Sequence, residues 1–195
     1  MLRSIGGFLV CCGILICLAS QSVAGTADTG SSVVGWELEL GVETPSYAFT
    51  QPASTNLNID NVVLSCEQGP KRRGLQLRLY LSGAGPLAPL GAGKDTKDDP
   101  TVDLIIDGFS HSAQLLFADD FVVVTDSADG VMPLLSDALL DALQVGRRME
   151  LRFQFVKAAN AQTPTFDGIA VVDLLAGPSG AAVAVVRRCA GVISA

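Results

Sequence analysis

Residues 75–81 read Leu-Gln-Leu-Arg-Leu-Tyr-Leu, so leucine occupies every second position and polar or amphipathic residues fill the positions between. Residues 149–155, Met-Glu-Leu-Arg-Phe-Gln-Phe, repeat the alternation. Successive side chains of a β-strand point to opposite faces, so a period of two predicts a strand with one buried face and one wet face. These two stretches favour a fold made of β-structure.

The rest of the chain carries similar short strand patterns. Turn signals such as Asp107-Gly108 and Asp129-Gly130 separate them. Together with the two stretches above, the predicted strands are 36–42, 57–64, 102–106, 113–117, 121–125, 169–175 and 181–187. About nine short strands separated by turns predict an all-β fold, an antiparallel sandwich or barrel.

One segment, residues 136–145, departs from the strand pattern. Leu139, Leu140 and Leu143 recur there at helical spacing. Ser136 is a suitable N-cap, and Gly146 can supply a left-handed residue after the last turn. The segment predicts one short amphipathic helix that lies over an edge or end of the sheet.

The first 24 residues have the pattern of a secretory signal peptide. Arg3 gives a positive start, residues 5–18 are apolar, and Ser22-Val23-Ala24 places small residues before a cleavage point at Gly25. The apolar run is shorter than the roughly 20 residues that span a bilayer. We expect a periplasmic or secreted protein with no transmembrane segment after cleavage, a flexible lead-in over 25–34 and one β-rich domain over 35–195.

Two of the five cysteines, Cys66 and Cys189, lie outside the predicted signal peptide. An even pair in an oxidising compartment predicts a structural disulfide. The two positions are 123 residues apart, unlike the close spacing of redox or metal-binding pairs. We therefore expect one disulfide bond between Cys66 and Cys189.

The composition excludes several classes of function. Of 195 residues, 49% are hydrophobic and 17% are charged, which rules out disorder for the bulk of the chain. The net charge is −7, and −8 once Arg3 is removed with the signal peptide. A negatively charged chain is not attracted to nucleic-acid phosphates, so nucleic-acid binding is excluded. His111 is the single histidine, so a multi-histidine metal site is excluded. We predict no cofactor and no bound metal.

Two short basic clusters stand out in this acidic chain. They are Lys71-Arg72-Arg73 and Arg187-Arg188, and they flank the two cysteines. A disulfide would bring the clusters together as a positive patch for an anion or an acidic partner surface. The alternative is ordinary solvated charge.

No catalytic motif in the sequence is complete. Asp28-Thr-Gly-Ser matches the aspartic-protease tripeptide, but no second copy and no preceding apolar strand accompany it. His111 lies between two serines without a nucleophile elbow, so we expect a surface or loop histidine. Acidic groups occur at 95–99, 119–120 and 126–129 without EF-hand spacing, which leaves calcium binding as the alternative to exposed turn residues.

Residues 135–153, Leu-Ser-Asp-Ala-Leu-Leu-Asp-Ala-Leu-Gln-Val-Gly-Arg-Arg-Met-Glu-Leu-Arg-Phe, and residues 166–172, Phe-Asp-Gly-Ile-Ala-Val-Val, carry a family resemblance. They resemble the C-terminal part of the invasion-associated locus B family of exported alphaproteobacterial proteins. The resemblance is confined to these stretches and implies a β-rich exported protein without an established enzymatic activity. That family places a cysteine soon after its first tryptophan, whereas Trp36 and Cys66 are 30 positions apart here.

These observations predict a non-catalytic exported protein, a subunit or accessory factor of an envelope or surface assembly with a protein partner or a second copy of itself. One alternative is a small-ligand or carbohydrate-binding module, which would show a groove lined by exposed aromatic residues. Another is a hydrolase, which would need two carboxylates to converge. The candidates for such a pair are Asp119, Asp120, Asp126 and Asp129.

Overall fold

The fold is described from a computed structural model over residues 35–69, 72–83, 85, 87, 96–156, 168–174 and 179–191. The predicted signal peptide, the lead-in, the Asp28-Thr-Gly-Ser motif and Lys71 lie outside these residues. All of the described residues belong to one compact unit.

Twelve strands and two helices occur in the described part of the chain. In chain order they are β1 (Glu37–Leu38), β2 (Tyr47–Thr50), β3 (Ser54–Thr55), β4 (Ile59–Gln68), β5 (Arg73–Leu81), β6 (Thr96–Ile106), β7 (Phe109–Phe117), β8 (Phe121–Thr125), β9 (Ser127–Asp129), β10 (Met132–Leu134), α1 (Asp137–Val145), β11 (Arg148–Val156), β12 (Gly168–Asp173) and α2 (Ser179–Cys189).

Ten strands form one antiparallel sheet in the order β1-β2-β4-β5-β8-β7-β6-β11-β12-β3. The sheet folds over on itself, since the N–H of Gly35, just before β1, donates to the carbonyl of Asp173 in β12 at 3.0 Å. The arrangement is sandwich-like and is not a closed barrel. The predicted all-β antiparallel class is confirmed, with the sandwich as the form. Strands β9 and β10 make a separate hairpin.

The core is built from the inward positions of the alternating strands. Leu75, Leu77 and Leu79 of β5 are at most 2% exposed, and Leu151 and Phe153 of β11 are fully buried. The period of two therefore assigned these side chains to the correct face. Trp36 also belongs to this core at 3% exposure.

The Asp107-Gly108 turn joins β6 to β7 as predicted. Both central residues have positive φ, 48° for Asp107 and 90° for Gly108. Such values match the right-handed twist of the flanking strands in a two-residue hairpin. The Asp107 carboxylate also accepts hydrogen bonds from the backbone N–H groups of Arg147 and Arg148, which ties the turn to the start of β11.

Helix α1 confirms the predicted helix and its N-cap. The Ser136 hydroxyl accepts a hydrogen bond from the Leu139 N–H, and the three predicted leucines are buried. The prediction for Gly146 was wrong, because its φ of −66° and ψ of 151° are extended and not left-handed. A glycine is needed there for space, since a Cβ would collide with the Ile106 side chain and the Ala142 carbonyl.

The predicted strand 181–187 was wrong, because these residues form helix α2. Ala182, Val183 and Val186 are buried along one side of the helix. A short run of small and branched apolar residues fits either a strand or a buried helix by pattern alone. Packing against α1 and against β1, β2 and β4 favours the helix here. Gly180 makes the close approach to α1 possible, because a Cβ would lie 2.5 Å from the Gln144 carbonyl oxygen.

Candidate functional site

The described arginines of the two basic clusters have different surroundings. Arg73 donates to Gln68 and lies 3.5 Å from the Cys189 sulfur. Arg188, which precedes Cys189 in the sequence, is exposed. Arg72 pairs with Asp129 at 3.0 Å in an exposed position. Arg187 is only 4% exposed, so it is not available to an external anion.

Arg187 serves instead as a link between the two helices. Its guanidinium donates to Asp141 at 2.7 Å and to Gln144 at 2.9 Å, both on α1. A buried arginine needs such partners, because removing its charge from water is costly. The two hydrogen bonds of Arg187 therefore fix α2 against α1.

Cys66 and Cys189 lie side by side, yet they are free thiols in this structure. The predicted disulfide bond is therefore absent, since the sulfurs are not at bonding distance. Burial raises the pKa of the Cys66 thiol from 9.0 to about 12, and a hydrogen bond to Cys189 adds to the rise. Strand β4 and the end of α2 thus bring the predicted pair together in the reduced form.

The acidic residues proposed for a hydrolase have structural partners or lie in solvent. Asp126 accepts hydrogen bonds from the N–H and hydroxyl of Ser136, and Asp129 pairs with Arg72. Asp119 and Asp120 are exposed in the β7–β8 turn. In the described ranges, no three His, Cys, Asp or Glu side chains group closely enough to hold a metal ion. Asp95 and the Asp98 side chain lie outside the described residues.

His111 lies in the middle of β7 and is half-buried. Of the two predicted placements, surface or loop, the loop is wrong, because the residue is part of a strand. Ser110 and Ser112 occupy the adjacent positions of the same strand, so their side chains point to the opposite face of the sheet. No Ser–His pair forms with either neighbour.

A groove of about 550 Å³ crosses the outer face of β2, β4 and β5. Tyr47 and Phe49 of β2 line one side, and Arg78 and Tyr80 of β5 line the other. Asn61, Val63 and Ser65 of β4 lie between them. The register explains this grouping, because Tyr47 is opposite Ser65 and Phe49 is opposite Val63. These residues occupy the outward positions of the strands, away from the core.

Arg78 is held rigidly at the side of the groove. Its guanidinium donates to Gln76 at 2.9 Å, pairs with Glu67 at 2.9 Å and lies 4.7 Å from the centre of the Phe121 ring. Gln76 in turn donates to the carbonyl of Pro133 in β10 at 2.9 Å. Charge-assisted hydrogen bonds and a cation–π contact fix the arginine before any ligand arrives.

Ser65 is the unusual residue of the groove. It is 6% exposed, and its hydroxyl oxygen has no hydrogen-bond partner anywhere in the described part of the protein. An unpaired buried hydroxyl costs about 1–3 kcal/mol, so proteins normally satisfy such groups. A polar group of a ligand would supply the missing partner once the side chains that cover the hydroxyl move aside, because the oxygen itself is shielded from solvent.

A second recess, of about 560 Å³, lies between β7 and the β9–β10 hairpin. Two of the polar side chains that line it, Thr125 and Asp126, are already engaged. The Thr125 hydroxyl contacts the carbonyls of Ser127 and Leu134, and Asp126 binds Ser136. The groove on β2, β4 and β5 is therefore the better candidate, because it combines aromatic side chains with an unsatisfied polar group.

No family model, curated protein or solved structure matches the chain. Neither α1 nor α2, the two helices of the described part of the chain, has the length and apolar character needed to span a membrane.

The sequence did not single out the groove residues. Arg78 and Tyr80 were identified only as the wet positions of the β5 alternation, and Tyr47 lies in a strand that was not predicted. A Tyr or Phe at an outward strand position is the signal that was available. The grouping of these residues depends on the pairing of β2 with β4 and β5, which no local pattern specifies.

Proposed function

We propose that this protein is an exported, non-catalytic binding protein whose site is the groove on β2, β4 and β5. The observation that carries the proposal is the buried, unpartnered hydroxyl of Ser65 between aromatic walls. The groove volume of about 550 Å³ is within the range of small-ligand sites. A concave site with apolar walls and a few fixed polar groups is typical of ligand binding.

The aromatic groove favours the role of a small-ligand module over that of an assembly subunit. A groove lined by exposed aromatic residues is the feature that distinguishes the module, and Tyr47, Phe49 and Tyr80 are each only half-buried. The assembly role, with a protein partner or a second copy, stays a prediction. The resemblance to the invasion-associated locus B family, which is compatible with either role, also stays a prediction.

Export and oxidation are part of the proposal. Cleavage after Ala24 would deliver the chain to an oxidising compartment, where Cys66 and Cys189 would form a disulfide. The thiol–thiol hydrogen bond supports this, because it already brings the two sulfurs next to each other. A disulfide-bearing oxidant would accept the two electrons and two protons, and its own S–S bond would be reduced to two thiols.

The binding proposal is tested with the ¹⁵N-labelled mature chain, residues 25–195, titrated with the low-molecular-mass fraction of an extract of the source organism. We expect amide shifts concentrated on β2, β4 and β5, including Ser65. Light scattering in parallel reports whether a second copy associates. Shifts confined to other surfaces, or no shifts, would contradict the proposal.

Ser65→Ala provides the sharper test, because stability and binding should change in opposite directions. Removing the unpaired hydroxyl should raise the free energy of unfolding of the empty protein by about 1 kcal/mol. The same change should weaken binding of the active fraction, since the ligand loses a hydrogen bond. The matched control is Ser110→Ala, an exposed serine of β7, which should alter neither quantity.

A further inference from the structure

We infer that the ligand of the groove is a neutral carbohydrate, with a sugar ring stacked on an aromatic wall and its hydroxyls on the Glu67–Arg78 pair. This inference rests on the proposed binding function and names the class of ligand. Three properties of the groove lead to it, namely its charge balance, its hydrogen-bonding groups and its aromatic walls.

The charge balance favours a neutral ligand. The positive charge of Arg78 is paired with Glu67 at 2.9 Å, and the same guanidinium is shared with Gln76 and the Phe121 ring. An anion would therefore compete with an existing carboxylate for the arginine. The chain as a whole is also negative, with a net charge of −7, which repels anions.

The hydrogen-bonding groups match adjacent hydroxyls. The Glu67 carboxylate only accepts and the Arg78 guanidinium only donates, and the two lie next to each other. Each sugar hydroxyl both donates and accepts, so two neighbouring hydroxyls on one ring can bind the two groups at once. Asn61 and Ser65, which also line the groove, can each do both. An apolar ligand would bury the Asn61 amide and would leave the Ser65 hydroxyl unpaired, at a cost for each.

The walls provide surfaces for the apolar face of a sugar ring. Tyr47 and Phe49 are tilted by 51° with their ring centres 6.5 Å apart, so neither ring is stacked flat on the other. Tyr80 stands across the groove, with its ring 5.4 Å from that of Phe121. The π-face of an aromatic ring is negative and attracts the partly positive C–H groups of a sugar.

The test uses four tetrasaccharides titrated into the mature protein by calorimetry and by NMR. Maltotetraose, cellotetraose and chitotetraose are the neutral probes, and a heparin-derived tetrasaccharide is the anionic probe. We expect at least one neutral probe to bind and to shift the amides of β2, β4 and β5. Tyr47→Ala and Glu67→Gln should each weaken that binding about tenfold or more. The control is Phe109→Ala, an exposed aromatic at the β6–β7 turn, which should leave the affinity unchanged. A thermal melt checks that each variant is folded.

The outcomes separate the carbohydrate inference from the proposed function. Groove shifts with the extract fraction but with none of the neutral probes would overturn the carbohydrate and leave the binding function standing. Preference for the heparin probe would overturn the neutral ligand. A protein that binds at the groove, with no binding of any sugar probe, would also overturn the carbohydrate inference and would favour the assembly role. If Tyr47→Ala leaves the affinity for a neutral probe unchanged, the groove is not the binding site. Both the carbohydrate inference and the proposed function would then be wrong.

Discussion

Two buried threonines differ in whether their hydroxyls have partners. The Thr125 hydroxyl lies 2.7 Å from the Leu134 carbonyl and accepts from the Leu134 N–H at 3.1 Å. It thereby fixes the β9–β10 hairpin to the end of β8. The Thr50 hydroxyl is fully buried in β2 and has no partner within the described ranges. The two residues therefore make a matched pair for measuring what a satisfied hydroxyl contributes.

Thr125→Val should lower the free energy of unfolding by about 1–3 kcal/mol, because the Leu134 N–H and C=O lose their partner inside the protein. Thr50→Val should leave stability unchanged or raise it, since a methyl group replaces an unpaired hydroxyl of the same shape. Urea denaturation of both variants and the parent measures the difference. Equal losses in the two variants would show that the hydrogen bonds of Thr125 do not stabilise the hairpin.

The raised pKa of Cys66 makes the stability of the reduced protein depend on alkaline pH. An unfolded thiol titrates near 9.0, whereas burial raises the pKa of the folded Cys66 thiol to about 12. Between these values the unfolded chain has lost the proton that the folded chain keeps, so unfolding becomes more favourable as pH rises. Below pH 9.0 the contribution is constant.

We expect the free energy of unfolding of the reduced protein to fall from pH 9 to about pH 12 more steeply than that of Cys66→Ala. The comparison removes the contributions of tyrosine and lysine, which titrate in the same range and are common to both proteins. Denaturation in the presence of a thiol reductant gives both curves. Parallel curves would contradict the raised pKa.

At the scale of elements, the two helices show what sequence patterns specify. Helix α1 was predicted because leucines at helical spacing and a serine N-cap agree on the same segment. Helix α2 was predicted as a strand, because a short apolar run satisfies either period. The tertiary contacts that distinguish the two, with α1 and with β4, are made by residues far away in sequence.

Gly180 tests the contact between the helices. Gly180→Ala would place a Cβ 2.5 Å from the Gln144 carbonyl oxygen, so α2 would have to move away from α1. We expect a loss of about 1–3 kcal/mol in the free energy of unfolding, as for other overpacked sites. If α1 and α2 did not approach so closely, Gly180→Ala should instead raise the free energy of unfolding, because alanine is the better helix former by about 1 kcal/mol. The sign of the change in the free energy of unfolding, measured by denaturation, therefore shows whether the two helices are in close contact at Gly180.

At the scale of the whole molecule, strand faces are easier to predict than strand neighbours. The alternation of β5 and β11 assigned the core-facing side chains correctly, because the period is a property of each strand alone. On the opposite face Gln76 was predicted to meet water but is only 6% exposed and binds the Pro133 carbonyl. The groove requires β2 to pair with β4 and β4 with β5 in one register, with Tyr47 opposite Ser65 and Asn61 opposite Tyr80. Register depends on contacts between segments, which is why the site emerged only from the fold.

The contact of Cys66 with Cys189 joins two positions 123 residues apart, one in β4 and the other at the end of α2. Closing a loop of 123 residues would stabilise the folded state by about 4–5 kcal/mol through the lost entropy of the unfolded chain. That benefit is available only if the two thiols are oxidised. The oxidised protein should therefore unfold at a clearly higher denaturant concentration than the reduced one.

Two serine variants, Cys66→Ser and Cys189→Ser, separate the bond from the residues. Each should match the reduced parent to within about 1 kcal/mol and should gain nothing from a mixture of oxidised and reduced glutathione. The oxidised parent should be 2 Da lighter than the reduced form, since two hydrogens leave as the S–S bond forms. Free-thiol titration of the denatured, unreduced mature protein gives the direct count. Two thiols in protein purified from an oxidising compartment would mean that α2 is held to β4 by packing and by Arg73, without a covalent link.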